Sequence, residues 1–281
     1  MEPQAALQCI HLFSPDPLQA ARFYSRTYGM SLEPGTDGYL CRGPGREVQL
    51  SAGPANQLRY AHFALSSAPA WEAFETRTQG LARHALPEGF TGQAAVALQD
   101  PDGNLLVFTP PAARTQPEAA QPGDRAPALP PAALQHFALR TPNLPAMLDF
   151  YTRQLGFVLS DAVNDTEGAV RACFLRTDAL HHALALFFAP VACFDHQSFE
   201  APDWASMKQW GDHMAALRVP IVWGIGRHGP GNDVFFMVRD PDGNLAEISS
   251  EIEHCAPGRP AGLWPHEEHT LNLWGKAILR S

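Results

Sequence analysis

A chain of 281 residues with a net charge of -9 and no basic run is a poor partner for nucleic acid, whose phosphates require clustered Lys and Arg. Hydrophobic residues at 45% and charged residues at 17% describe a globular protein, long enough for two cores. No apolar run approaches the roughly 20 residues that cross a bilayer, the N-terminus lacks a charged stretch leading into an apolar one, and five scattered cysteines include no C-x-x-C, so reduced thiols and a cytoplasmic location are expected.

The first predicted element is an apolar strand at 7–12. Asp16 then caps a helix with Pro17 at its first position, and Tyr28-Gly29 closes it. Strands are expected at 29–33, 38–42, 47–52 and 58–65, and a second helix at 66–81 with Trp71, Phe74 and Leu81 on its apolar side. A hairpin at 94–98 and 104–109 turns on Asp100-Pro101-Asp102-Gly103-Asn104, where Pro presets φ and Gly accepts a positive one. The order reads βαβββ, twice. Residues 111–132, rich in Pro and Ala, read as an extended linker between a first domain at 1–110 and a second at 133–253.

The second half restarts the pattern, residues 134–157 (LQHFALRTPNLPAMLDFYTRQLGF) echoing residues 7–30. Thr141 or Asn143 is expected to cap its helix and Gly156 to end it. Strands follow at 172–176 and 183–188, then a shorter fifth strand holding Ser198 and Phe199, a helix at 205–217, and a strand at 221–223. Residues 232–250 (NDVFFMVRDPDGNLAEISS) form the closing hairpin, in which the DPDGN turn returns letter for letter. The tail, 254–281, has no counterpart in the first half and reads as a lid or a dimer contact.

Aligning the halves picks out three interior positions. The second half places His136, His196 and Glu247 where the first has Cys9, Tyr60 and Val107. A strand-borne carboxylate facing an interior needs a cation. Two imidazoles and a carboxylate with open positions form the facial triad of non-haem Fe(II). The first half, with Cys, Tyr and Val, offers no metal site and reads as apolar. Taken singly, His136 is ordinarily a satisfied core or surface histidine, His196 a loop residue and Glu247 a solvated strand residue. Their repeat-equivalent placement is what raises them to a site.

These residues, with the stretches HHALALF, GRHGPGND and DPDGNLAEI, give a chain that resembles the vicinal oxygen chelate superfamily (the glyoxalase/bleomycin-resistance fold) and within it the type I extradiol catechol dioxygenases. The resemblance runs over roughly residues 7–251. It implies an α+β fold of two domains, each built of two βαβββ modules forming a curved mixed sheet around a funnel. It implies a metal in the second funnel alone, on His136, His196 and Glu247. It places a catalytic acid–base at His182, 14 residues before His196, and a second active-site histidine at His228, 19 residues before Glu247. Trp223, Phe187, Phe235 and Met237 would wall the pocket. Met237 stands where the family usually has Tyr, and Met has no proton to donate; His254 and Tyr151 are conceivable stand-ins.

The implied activity is ring cleavage of a catecholic aromatic with Fe(II), or Mn(II), and O2, in a homo-oligomer serving aromatic catabolism. A second reading keeps the triad but drops redox, giving a divalent-metal isomerase, epimerase, lyase or hydrolase. A third is a binding protein that sequesters a small aromatic.

Overall fold

The computed structural model describes residues 4–92, 94–111 and 129–278. Strand-forming sequence dominates and assembles into two mixed sheets. The first comprises β1 (Ala5–Ser14), β2 (Ser31–Gly35), β3 (Gly38–Gly43), β4 (Arg46–Ala52), β5 (Leu58–Leu65), β6 (Val96–Gln99) and β7 (Leu105–Thr109), with helices α1 (Pro17–Tyr28) and α2 (Ala68–Thr78). The second comprises β8 (Ala133–Thr141), β9 (Val158–Asn164), β10 (Val170–Arg176), β11 (Leu184–Phe188), β12 (Cys193–Glu200), β13 (Trp223–Arg227), β14 (Val234–Arg239), β15 (Leu245–Ser250) and β16 (Gly262–Pro265). Its helices are α3 (Leu144–Asp149), α4 (Trp204–Leu217) and α5 (Glu268–Leu271).

The strand orders, β2-β3-β4-β1-β5-β7-β6 and β13-β14-β15-β12-β8-β11-β10-β9-β16, are the same arrangement read from opposite ends, apart from the added β13 and β16. In each sheet the two module-opening strands pair antiparallel at the centre, and each has a parallel partner from its own module on its other edge.

Local chemistry explains the helix ends. Asp16 Oδ1 accepts from the Gln19 N–H at 3.0 Å, and Gly29 adopts the left-handed conformation that lets its N–H reach the Ser25 carbonyl. Asn143 occupies the cap position of α3 without a side-chain bond, while Thr141 Oγ1 accepts from the Asn143 N–H. The α3 helix continues as a π-helical segment, Phe150–Leu155, that stops at Gly156.

Several expectations are corrected. The strand β9 lay hidden because Ser160, Asp161 and Asn164 break its apolar pattern. The fifth strand of the second half, β12, spans eight residues, as many as β5. The expected strand at 221–223 begins at Trp223 instead, and Gly224 and Gly226 had masked it. Only two strands follow α2, since the described residues between α2 and β6 form none. The linker expected at 111–132 falls largely on residues 112–128, which lie outside the described residues; Ala132 at its end is core. No described helix is long and apolar enough to cross a membrane.

The repeated turn has a structural reason. Asp100 Oδ1 accepts from the N–H groups of Asp102 and Asn104, and Oδ2 accepts from Asn104 Nδ2 and, at 3.0 Å, from the hydroxyl of Tyr151 in the other half. Asp240 repeats each bond with Asp242, Asn244 and Tyr24. Burial raises both carboxyl pKa values, and these bonds oppose the rise. Tyr24 also accepts from Gln197 Nε2 at 2.8 Å. Tyr24→Phe strips a partner from two buried groups and is expected to cost about 1–3 kcal/mol in urea unfolding. An unchanged midpoint would show that the paired Tyr–Asp contacts do not hold the halves together.

Candidate metal centre

Three adjacent strands build the centre. In the register of β8, β12 and β15, Ser198 lies opposite both His136 and Glu247. Directly opposite residues share a face, and His196, two residues from Ser198 along β12, shares it too. Ligand atoms of His136, His196 and Glu247 lie within 4.8 Å of one another, and all three side chains are buried. Ser198 Oγ donates to Glu247 Oε1 at 3.0 Å, fixing that carboxylate.

The protonation pattern follows from the partners. Gln135 Nε2 donates to the His182 carbonyl, so its Oε1 is free to accept from His136 Nδ1. His196 Nδ1 lies 2.6 Å from Asp195 Oδ1, and Asp195 also accepts from Arg140 Nε at 2.6 Å. Both rings therefore carry a proton on Nδ1 and turn their Nε2 lone pairs toward each other, 3.2 Å apart beside a buried carboxylate. Converging lone pairs repel, and a divalent cation is what turns this arrangement favourable. The donor set thus fits a metal. Burial, followed by the charges of the neighbouring histidines, holds the His136 pKa well below its ordinary value, which suits a ligand.

The remaining expected residues surround this cluster. His136, His182, His196, Phe187, Trp223 and Met237 line one small cavity, together with His228, Phe174, Ala185, Pro230 and Leu271. Phe235 does not line it but stacks under His228, rings 3.8 Å apart and 7° from parallel. His228 Nδ1 lies 2.6 Å from the Leu271 carbonyl, so it donates there and presents Nε2 elsewhere. The His182 ring centroid is 4.3 Å from that of His136. Neither conceivable stand-in for the missing Tyr reaches the cavity. The Tyr151 hydroxyl is on Asp100, and His254 pairs its backbone with Leu180.

Sequence reasoning missed several participants. Gln135 and Asp195 each precede one of the two clustered histidines, a position that normally faces the other side of a strand. A register shift at Asp195 opens a bulge that turns it onto the histidine. Asp233, fully buried, forms a second cluster with His228 and Glu247. Its burial, with the charge of Glu200 second, pushes its carboxyl pKa well up. Asp161 lies 3.2 Å from His181 Nε2, and His181 Nδ1 lies 3.0 Å from His182 Nδ1. Asp161 also accepts from Trp264 Nε1 at 2.7 Å and Arg259 Nη1 at 3.0 Å, which ties the tail to β9. Gly231, at φ +82, runs so close that a Cβ there would sit 3.0 Å from His181 Nδ1.

Residues 133–248 match the model of the Glyoxalase/Bleomycin resistance protein/Dioxygenase superfamily. Metapyrocatechase 2 of Cupriavidus necator is 32% identical over 202 residues, 66% of this chain and 62% of that protein, so the match spans less than two thirds of the relative. Biphenyl-2,3-diol 1,2-dioxygenase 3 of Rhodococcus globerulus is 31% identical over 160 residues, 52% of this chain and 76% of that protein. The chain belongs to the extradiol dioxygenase family of this superfamily. The fold is shared beyond it. A Mn(II)-bound glyoxalase from Novosphingobium aromaticivorans superposes with a TM-score of 0.77 at 22% identity, covering 98% of this chain and 92% of that one. Extradiol dioxygenases depend on a metal, and this member has a cluster able to hold one.

Proposed function

We propose that the chain is an extradiol ring-cleaving dioxygenase acting on a catecholic aromatic with Fe(II) and O2. The observation that carries this reading is the buried cluster of His136, His196 and Glu247, ligand atoms within 4.8 Å of one another, with His182 and His228 on the same apolar-walled cavity. His136, His196 and Glu247 hold the metal; the ligand set serves Mn(II) as well as Fe(II). Held there, a divalent metal would supply Lewis acidity toward two vicinal hydroxyls and a redox centre for reaction with oxygen.

His182 moves the proton. Burial alone would raise the Asp161 pKa, but the nearby His181 ring, with the bonds from Trp264 and Arg259, outweighs it and holds it down to about 2. The negative charge of Asp161, 3.2 Å from His181 Nε2, favours the tautomer of His181 protonated on that nitrogen. His181 Nδ1 then accepts from His182 Nδ1–H, and His182 Nε2 is left as a base. Burial, followed by the charges of His136, His181, His228 and His196, depresses the His182 pKa, so this ring is neutral at pH 7. It takes a hydroxyl proton from the substrate and returns it later as an acid. His228, held flat on Phe235, offers Nε2 to the substrate. With Met237 in place of Tyr, these two histidines carry the proton traffic within the cavity. Phe187, Trp223 and Met237 exclude water from the ring.

The test is oxygen uptake by anaerobically Fe(II)-loaded protein offered catechols from monocyclic to biaryl. Uptake matched by a yellow ring-opened product is expected. No uptake with any diol, at one tightly bound metal per chain, would overturn the reading. The Met237 thioether is the one feature favouring the non-redox alternative, which consumes no oxygen.

A further inference from the structure

The first half is not the apolar counterpart that its Cys, Tyr and Val positions suggested. Its sheet bears a cavity of about 490 Å3, lined among others by His11, Glu47, Gln49, Tyr60, His62 and Phe90. The space at the metal centre is about 20 Å3. The two cavities occupy equivalent places. His11 lies opposite Tyr60 in the β1–β5 register, as Ala138 lies opposite His196 in β8–β12. No described cluster here gathers three metal ligands.

Two observations point to a ligand. His11 is only 6% exposed, yet neither ring nitrogen has a hydrogen-bond partner in the chain. Other polar groups nearby bond to one another. The Tyr60 hydroxyl donates to Gln49 Oε1 at 3.0 Å, Gln49 Nε2 donates to Glu47 Oε1 at 3.0 Å, and Arg42 Nε pairs with Glu47 Oε2 at 2.9 Å. Around His11 the walls are aromatic. Tyr60 meets it edge-on at 5.0 Å, and Phe90 stands 6.0 Å from Tyr60 and 5.2 Å from His62.

We infer that this cavity is a second, metal-free binding site for a small uncharged aromatic bearing a hydroxyl group. Size permits it, since a cavity of about 150 Å3 is enough for benzene. Burial, followed by the charge of Arg59, holds the His11 pKa down to about 3, so its ring is neutral and offers one N–H and one lone pair. A hydroxyl both donates and accepts and therefore matches either tautomer. Charge sets the class further. Asp37, Glu47 and Glu88 line the cavity, while Arg42 pairs with Glu47 and Arg59 with Asp37, so one negative charge is left in excess and a carboxylated aromatic is disfavoured.

Resorcinol is the probe, because its hydroxyls are not vicinal and do not chelate one ion. It is titrated calorimetrically into the metal-free full chain, with the His11 ring resonances followed by NMR. One site per chain and a shift of the His11 signals are expected. His11→Phe should weaken binding at least about tenfold, the loss of one or two hydrogen bonds. Benzoate should bind far more weakly than resorcinol. Absent binding, unmoved His11 resonances, affinity unchanged in His11→Phe, or benzoate binding equally well would each overturn the assignment. The NMR readout uses the wild-type chain and so does not depend on the variant folding.

Discussion

Glu247→Ala is expected to abolish tight metal binding and oxygen uptake together. The carboxylate is wholly buried on β15, held by Ser198 and aimed at two histidine nitrogens whose protons are committed elsewhere. Losing an outer-shell partner of a metal typically costs about 10–100-fold in affinity; loss of one of three direct ligands should exceed that. The second cluster, His228, Asp233 and Glu247, shares this carboxylate, so a metal seated there would be lost as well. Asp233→Asn separates the two, since it leaves His136, His196 and Glu247 intact and should keep its metal. Metal content by mass spectrometry, and the rise in melting temperature on adding metal, read the result. A Glu247→Ala protein that keeps one tightly bound metal per chain would remove Glu247 from the centre.

His182→Gln should leave metal content unchanged and lower kcat by about 100- to 10,000-fold, the usual contribution of a positioned acid–base. The side chain lines the cavity, stands beside His136, and is tied through His181 to an ionised Asp161. Gln fills similar space and forms hydrogen bonds but does not take up a proton at neutral pH. Anaerobic diol binding should persist, which distinguishes lost proton transfer from a damaged pocket. A kcat within a few-fold of wild type would hand the role to His228.

How much of this was legible in the sequence depends on which physical signal each residue sends. The duplicated strands and the DPDGN turn exposed the repeat, and the repeat exposed His136, His196 and Glu247 as departures from its pattern. The partners that fix their protons sent no such signal. Gln135 and Asp195 sit where strand alternation points away, and a bulge, unseen in the letters, brings Asp195 back. Asp161 lies in a strand that polar residues disguised, and its link to Trp264 and Arg259 joins segments about a hundred residues apart. His11 sends no such signal, since it stands two residues beyond Cys9 and outside the three positions that differ as a set between the halves. The tail showed no counterpart, and the structure places β16 beside β9 and Leu271 on the cavity.

The most direct test of the central claim is the fate of the oxygen atoms when the metal-loaded protein turns over a diol under isotopically heavy dioxygen. The account predicts that the ring-opened product, read by mass spectrometry, carries both atoms of the labelled gas, and that Glu247→Ala yields none. A product formed without any label would contradict it and leave the centre as a site of non-redox metal chemistry.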